Sequence, residues 1–458
     1  MKRIRISLLL LTMLLAAGCK NDTEKESTAE STTTAVSEQD SETEASLDYV
    51  TALESEFETT VQEGQVVLTS YSGTGTAVEI PAEIDGYPVG EIGESCFMST
   101  EITGIKVPDT VTRIGSGSFY GCESLKQVVL PESVTEIGVS AFAGCTALEQ
   151  MTLPEGLTVM EQYAFNGAGL QEIVIPDGIT TIEAGTFQAC TALTRVTLPE
   201  GITRIGEDAF YNCTALEELN FPQELTYVGG RCVGNTPWYE AYCEEVGDGY
   251  VVWGEYLYGW NGAITEKLPQ VKYICSYAFA GNEALTDVTI PDSVYSIGNY
   301  AFSQCRGLKS VSIPNTVELL GAGVFYGSGT LEEVHLPEGL TTLPGGLFAE
   351  CLALHTVNLP ENLTAIPAGC FTMCYSLSEV TLPDTVTSIG SQAFAACLDL
   401  EEIYIPETVT AVDSLAFGYC TYTTVNCQAK EQPPQWAEDW CGTEEDENMC
   451  IVNWGVTQ

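Results

Sequence analysis

Basic residues are scarce: 16 Lys and Arg stand against 64 Asp and Glu in 458 residues, for a formal net charge of −48. That balance argues against nucleic acid as a partner, because phosphate recognition needs clustered cations. Histidine is nearly absent. His335 and His355 fall on neighbouring strand segments offset by three residues, about 10 Å along the strands, too far apart to share a metal, and both read as surface residues. Among 18 cysteines no CxxC pair recurs at zinc spacing. Carboxylates are plentiful but repetitive, and nothing sets one apart as a general acid and another as a nucleophile. No catalytic centre and no cofactor is expected.

What the chain has in quantity is repetition. The template LxxVxLPxxVTxIGxxAFxxC returns about every 23 residues. Its proline runs from Pro108 through Pro131, Pro154, Pro176 and Pro199 to Pro222, and resumes from Pro269 to Pro406. Its phenylalanine keeps the same beat from Phe119 to Phe210 and from Phe279 to Phe417. A fixed period of this length is the mark of a solenoid in which each repeat is one coil. In the copy Leu331 to Cys351, Val334 and Leu336 alternate with Glu333 and His335, the period of a half-buried strand. Pro337 ends that strand because it has no N–H for a ladder. Leu340, Leu343, Leu347 and Phe348 then supply the opposite wall, with Gly345 and Gly346 at the tight turn. One coil cannot cover its own apolar groups, so strands of successive coils must join in a parallel sheet.

The chain divides by pattern. Residues 1–18 read as an export signal, with Lys2, Arg3 and Arg5 before an apolar core, Ile6 to Ala17, too short to span a bilayer. Residues 19–46 are Ser, Thr and Glu with almost no large apolar group, the composition of a disordered tether. Residues 47–80 read as an N-terminal cap, in which Leu47, Val50, Leu53 and Phe57 have helical spacing and suggest a short helix or a docking segment. Repeats fill 81–227 and 269–420. Between them, 228–268 departs from the template, and YVVW and YLYGW, joined by Gly254 and Glu255, read as a β-hairpin. This interruption is either an internal second cap or the junction of two half-arrays. Residues 421–458, with Trp436, Trp440 and Trp454, read as a terminal plug.

Half of the cysteines sit at one place of the repeat, from Cys122 to Cys420. They are expected to be free thiols used as small apolar fillers, since Asn282 and Ser328 take the same place. Cys232 with Cys243, and Cys427 with Cys441 or Cys450, lie outside the ladder and are the more plausible disulfides. The residue after the motif proline is acidic in most coils, from Asp109 and Glu132 to Asp384 and Glu407. These side chains are expected to face water at turns, with calcium binding as the alternative; the glycine-aspartate repeats of calcium-loaded solenoids are missing.

Two faces compete for a partner. One is the exposed side of the sheet, which carries His335 and Tyr404 in one column and acids such as Glu172, Glu218, Glu333 and Glu402 in another. The other is the interruption, where Trp238, Tyr239, Tyr242, Tyr250, Trp253, Tyr256, Tyr258 and Trp260 are concentrated. Aromatics at that density form protein interfaces, stack on sugar rings, or seal the ends of a broken array.

Two resemblances follow from these residues. Leu14 to Cys19, LLAAGC, resembles the lipobox of bacterial lipoproteins, with Ala16 where the family more often has Leu. The resemblance implies cleavage before Cys19 and a diacylglycerol on that cysteine, which would anchor the protein to the outside of the bacterial cell membrane; the alternative is an ordinary secretory peptide. The repeat itself resembles the Treponema-type leucine-rich repeat of BspA-like surface proteins, together with AEIDGYPVGEIG, NTPWYEAY, QAKEQPPQWAEDW and IVNWG. That resemblance implies a right-handed leucine-rich-repeat superhelix, an α/β-type solenoid mostly β and irregular, of about fourteen coils with a mid-array hairpin and terminal caps. It also implies a non-catalytic role in recognition or adhesion, with host or bacterial surface proteins as partners. A glycan-binding module using the aromatic interruption, or a surface scaffold, is the alternative.

Overall fold

Each repeat forms one turn of a β-solenoid, and each turn contributes two very short strands to two parallel ladders. Glu172–Val174, Arg195–Thr197 and Glu218–Leu219 pair in one ladder, while Thr181–Ile182, Arg204–Ile205 and Tyr227–Val228 pair in the other. The register matches equivalent positions, Ile173 with Val196 and Ile182 with Ile205, because a constant repeat length returns each residue to the same place one coil later. The strands are short because proline follows the first ladder at once; Ile175 and Pro176 succeed Val174. The computed structural model describes residues 47–222, 224–262, 267–442 and 450–456. The export segment, Cys19 and the tether lie outside the described residues. The solenoid has about sixteen turns. The caps account for the excess over the fourteen legible repeats, since Val50–Thr51 at one end and Ile451–Trp454 at the other continue parallel pairing.

The third side of each coil has neither strand nor regular helix. Its N–H groups alternate between two acceptors. Gln188 donates to Gly185 O within its own coil at 3.0 Å, whereas Phe187 and Ala189 donate to Ala209 O and Tyr211 O of the next coil, both at 2.8 Å. Left-handed residues make this alternation possible, as at Gly185 (φ 63°) and Ala189 (φ 59°). The backbone is thereby satisfied without the longer helix that a leucine-rich repeat often carries. The glycine of the IG pair has a separate duty: a Cβ on Gly206 would lie 2.4 Å from Ala184 N, and one on Gly390 would lie 2.5 Å from Ala368 N. Glycine gives the closest approach there, although coils with Glu161 or Asp413 at the same position keep the backbone bond, to Ile137 O and Ile389 O at 2.9 Å each.

The phenylalanine series forms the axis of the core. From Phe97 to Phe210 successive rings lie 5.1–5.5 Å apart and within 11° of parallel. From Phe279 to Phe417 the spacing is 4.9–5.9 Å. The core divides into two clusters that meet at the interruption. The interruption contains an α-helix, Pro237–Val246, which the sequence pattern did not suggest, followed by the expected hairpin of Gly249–Trp253 and Tyr256–Asn261. Backbone hydrogen bonds across coils reach Gly234, which accepts from Asn212 N at 3.1 Å, and the helix, where Trp238 N donates to Leu216 O at 2.8 Å; they resume where Cys275 N donates to Leu257 O at 2.9 Å. Side chains add to the junction between them. Arg231 lies between the Tyr211 and Tyr277 rings, 4.5 and 3.9 Å from their centroids, and pairs with Asp208 at 2.8 Å; Ser276 Oγ donates to Glu207 at 2.7 Å.

Both ends are closed by aromatics. Phe57 and Tyr71 cover Phe97, with Tyr71 and Phe97 centroids 4.9 Å apart. Trp440 stands edge-on to Phe417 at 5.8 Å, braced by Trp436 and Trp454. The helical spacing at Leu47 to Phe57 does not give an α-helix. Val50–Thr51 is a strand, a single 3-10 turn spans Glu54–Glu56, and Phe57–Gln62 begins a hairpin with Gln65–Tyr71. Pairing at the array's open edge overrides the local period, because the first coil's ladder needs a partner.

Candidate recognition surfaces

The aromatics of the interruption are brought together, and they face one another. Thr236 caps the helix by accepting from Tyr239 N at 3.1 Å, and Pro237 opens it. Trp238 and Tyr242, four residues apart, share one face with centroids 5.6 Å apart. Trp253 packs on Tyr258 at 4.3 Å and donates its Nε1 proton to Tyr242 Oη at 3.0 Å. Tyr239 meets Tyr258 edge-on at 5.4 Å. Tyr258 is buried, accepts from Val233 N at 3.1 Å, and has its phenol pKa pushed well above the usual value by that burial. Tyr256 stacks on Tyr273 at 4.6 Å and donates to Thr226 O at 2.7 Å. Trp260 and Tyr250 pack partly buried against the second array. Phe221 belongs to this cluster, 4.6 Å from Trp253 and 5.3 Å from Trp238. Sequence reasoning missed it. The available signal was a phenylalanine just before the motif proline, where other coils carry Leu, Ile or, at Val107, Val.

The sheet face keeps its side chains in water. His335 is exposed and lies 3.2 Å from Glu333 Oε1. Glu333 pairs in register with Thr356 and Val334 with Val357, so His335 and His355 are not brought together. Tyr404 donates to Glu402 Oε1 at 3.1 Å, which pushes its phenol pKa up, and Glu402 accepts from Asn426. Ion pairs cross the coils in the first array: Lys106 to Glu79 at 2.6 Å, Arg195 to Glu218 at 2.8 Å and, more distantly, Glu172 at 4.0 Å. Arg113 bridges Glu91 and Glu136 at 2.7 Å each.

The cysteine ladder is a hydrogen-bonded column as well as a filler. Each thiol donates to the phenylalanine carbonyl of the preceding coil, as in Cys145 to Phe119 O at 3.2 Å and Cys374 to Phe348 O at 3.1 Å. Ser328 makes the same bond to Phe302 O at 2.7 Å. Burial pushes these thiols up, to about 12 for Cys190 and Cys374 and about 11 for Cys420. They are therefore neither nucleophiles nor ready metal ligands. All described cysteines are unbridged, so the expected disulfides are not formed. Cys232 lies instead beside Tyr258 and Cys275, in the core that seals the first array. Cys427 is unbridged in the C-terminal cap, where Cys441 and Cys450 are also buried and unbridged and Cys450 N donates to Cys441 O at 3.2 Å. No cluster of three or more His, Cys, Asp or Glu suited to a metal occurs among the described residues. No helix among them is long and apolar enough to cross a membrane.

The family described as BspA-type leucine-rich repeat region (6 copies) matches residues 90–168, 120–240, 263–378 and 296–424. Among curated proteins none matches the chain. Among solved structures, the chain is similar to a leucine-rich cell surface protein of Faecalibacterium prausnitzii, at 26% identity over 88% of this chain and 98% of that one, with a TM-score of 0.45. A leucine-rich repeat protein of Bacteroides ovatus is 28% identical over 83% of this chain and 88% of that one, with a TM-score of 0.35. The leucine-rich repeat protein of T. pallidum is 18% identical over 72% of this chain and 91% of that one, with a TM-score of 0.20. The matched repeat spans take in well over half of the residues, and the chain belongs to the BspA-type leucine-rich repeat family.

Proposed function

We propose that this chain is an exported, lipid-anchored bacterial surface protein whose solenoid recognises proteins of a host or of neighbouring cells. The observation that carries this reading is the regular stack of coils, which holds a succession of short parallel sheets with one face in water while every ladder thiol is buried in the core. Family membership supports it, as does the lipobox-like LLAAGC, which would place the diacylglycerol on Cys19. The packing of the interruption supports a sealing role for Trp238, Trp253 and Tyr258, whose rings are engaged with one another and with Phe221. A glycan module would need those rings turned to solvent.

Two measurements test the proposal. Metabolic labelling with palmitate should mark the wild type and not Cys19→Ala; label on neither would remove the anchor. The full chain carrying Cys19→Ser should bind saturably to one or more immobilised matrix or bacterial surface proteins at physiological salt. Binding confined to wall or plant glycans would replace protein recognition with the glycan reading.

A further inference from the structure

One column of the repeat changes character in three late coils. At the position after the ladder residue the earlier coils carry Glu123, Thr146, Thr191, Thr214, Glu283 and Arg306, as expected for a bend in water. Three consecutive coils then carry Leu352, Tyr375 and Leu398 there, before the final coil returns to Thr421. Ser376 N donates to Leu352 O at 3.2 Å and Asp399 N to Tyr375 O at 3.0 Å, so these side chains stand on adjacent rungs, about 4.8 Å apart. One residue before the ladder cysteine, Met373 and Tyr419 replace the glycine found at Gly121, Gly144 and Gly327. They keep its left-handed backbone, with φ of 60° and 63°, a conformation that favours glycine. Leu352, Tyr375 and Leu398 form a stripe whose members are 39–52% exposed, and Met373, Tyr419 and Tyr422, near them in the chain, are 40–84% exposed. Sequence reasoning overlooked it because each residue is unremarkable within its own repeat.

The charge around the stripe is as uneven. Between Lys309 and Lys430 the chain has 13 Asp and Glu and no Lys or Arg, while in the first array and its cap Glu79, Glu91, Glu136, Asp208 and Glu218 are paired with Lys or Arg. Glu350 and Asp399 stand next to the stripe in the chain. An apolar strip amid carboxylates that no lysine or arginine of the same coils offsets favours a partner that is apolar on one side and cationic around it. We infer that the Leu352–Tyr375–Leu398 stripe is a docking surface for a cationic amphipathic polypeptide segment. The inference rests on the recognition role proposed above and gives that role a place and a chemistry.

The test uses the full chain carrying Cys19→Ser and a fluorescein-labelled helical peptide of about 18 Leu and Lys residues with one apolar face, beside the same peptide with Glu for Lys. Anisotropy should rise saturably with the Leu/Lys peptide and stay flat with the Leu/Glu one. Tyr375→Thr with Leu398→Thr, which installs the threonine found at this position in earlier coils, should weaken binding tenfold or more with an unchanged melting temperature. Val174→Thr, an exposed apolar residue on the sheet face of the first array, should leave binding unchanged. Equal affinity of wild type and double variant would overturn the inference, since acidity alone would then hold the peptide, and so would absence of binding. Self-association of the wild type that the double variant abolishes would also overturn it by making a second copy the occupant. Failure here, with saturable binding retained in the matrix screen, would leave the recognition role standing and remove only this site.

Discussion

Phe142 is the residue whose loss should report most directly on how the solenoid is held together. Its ring is fully buried between Phe119 at 5.1 Å and Phe165 at 5.4 Å, within 7° of parallel to both. Phe142→Ala removes a full core side chain and leaves a cavity that neighbouring coils cannot close, because their spacing is fixed by the backbone ladders; the cost is about 3–5 kcal/mol. Stability in such arrays is a sum of coil and nearest-neighbour terms, and the core divides at the interruption, so the loss should fall on the first array. With a urea dependence on the order of 2–3 kcal/mol per molar, the first array's midpoint should drop by roughly 1–2 M. The six tryptophans lie in the interruption, where Trp238 and Trp253 pack on the first core, and in the C-terminal cap. With Trp238, Trp253 and Trp260 replaced by Phe in every protein compared, fluorescence therefore reports on the second array while circular dichroism reports on both. In Phe142→Ala, circular dichroism should lose a large part of its amplitude before Trp436 and Trp440 respond. In Phe371→Ala the order should reverse. A midpoint shift below about 0.3 M, or coincident transitions in both variants, would refute the argument that this column and its break organise stability.

Other expectations follow from the same contacts. Cys374→Ser should cost under about 1 kcal/mol in urea titrations, because Ser328 already makes the equivalent bond, whereas Cys374→Val, which removes a donor, should cost more, about 1–2 kcal/mol. The ladder thiols should resist iodoacetamide at pH 8 until the chain unfolds; rapid native-state labelling would contradict their burial. Their folded pKa values lie above the unfolded value of about 8.5, so the stability they confer is complete below that pH and is lost as pH rises toward about 12. Thermal melts should therefore show a steepening loss above pH 9. Glu79 is held below the usual glutamate range by hydrogen bonds from Lys106 and Thr51; its contribution is present above about pH 4.3 and fades as pH falls. The pair is solvent-exposed, so Lys106→Met should change stability by less than about 1 kcal/mol.

The solenoid was legible because its signal is repeated: a proline, a phenylalanine and a small ladder residue at constant spacing identify the strand, the core axis and the bend without reference to anything distant. The interruption was half legible. Its hairpin follows from alternating residues around Gly254 and Glu255, but Thr236 and Pro237, which cap and open the helix, were passed over in favour of the aromatic count. Leu47 to Phe57 misled for the opposite reason, since a helical period there is overruled by a ladder that needs an edge strand. Phe221 shows the limit at the aromatic cluster, because its membership depends on a helix folding back over a coil that ended earlier in the chain.

The sequence by itself determined the period, the two arrays, the buried columns and the acidity, since each is a property of single residues counted along the chain. Only the tertiary structure decided what faces what. Stacking turns residues about 23 positions apart into neighbours at about 5 Å, so Leu352, Tyr375 and Leu398 become one stripe, the ladder thiols become donors to carbonyls of the preceding coil, and the aromatics of the interruption turn toward one another. Those relations lie across the coils, in the direction a linear reading does not follow.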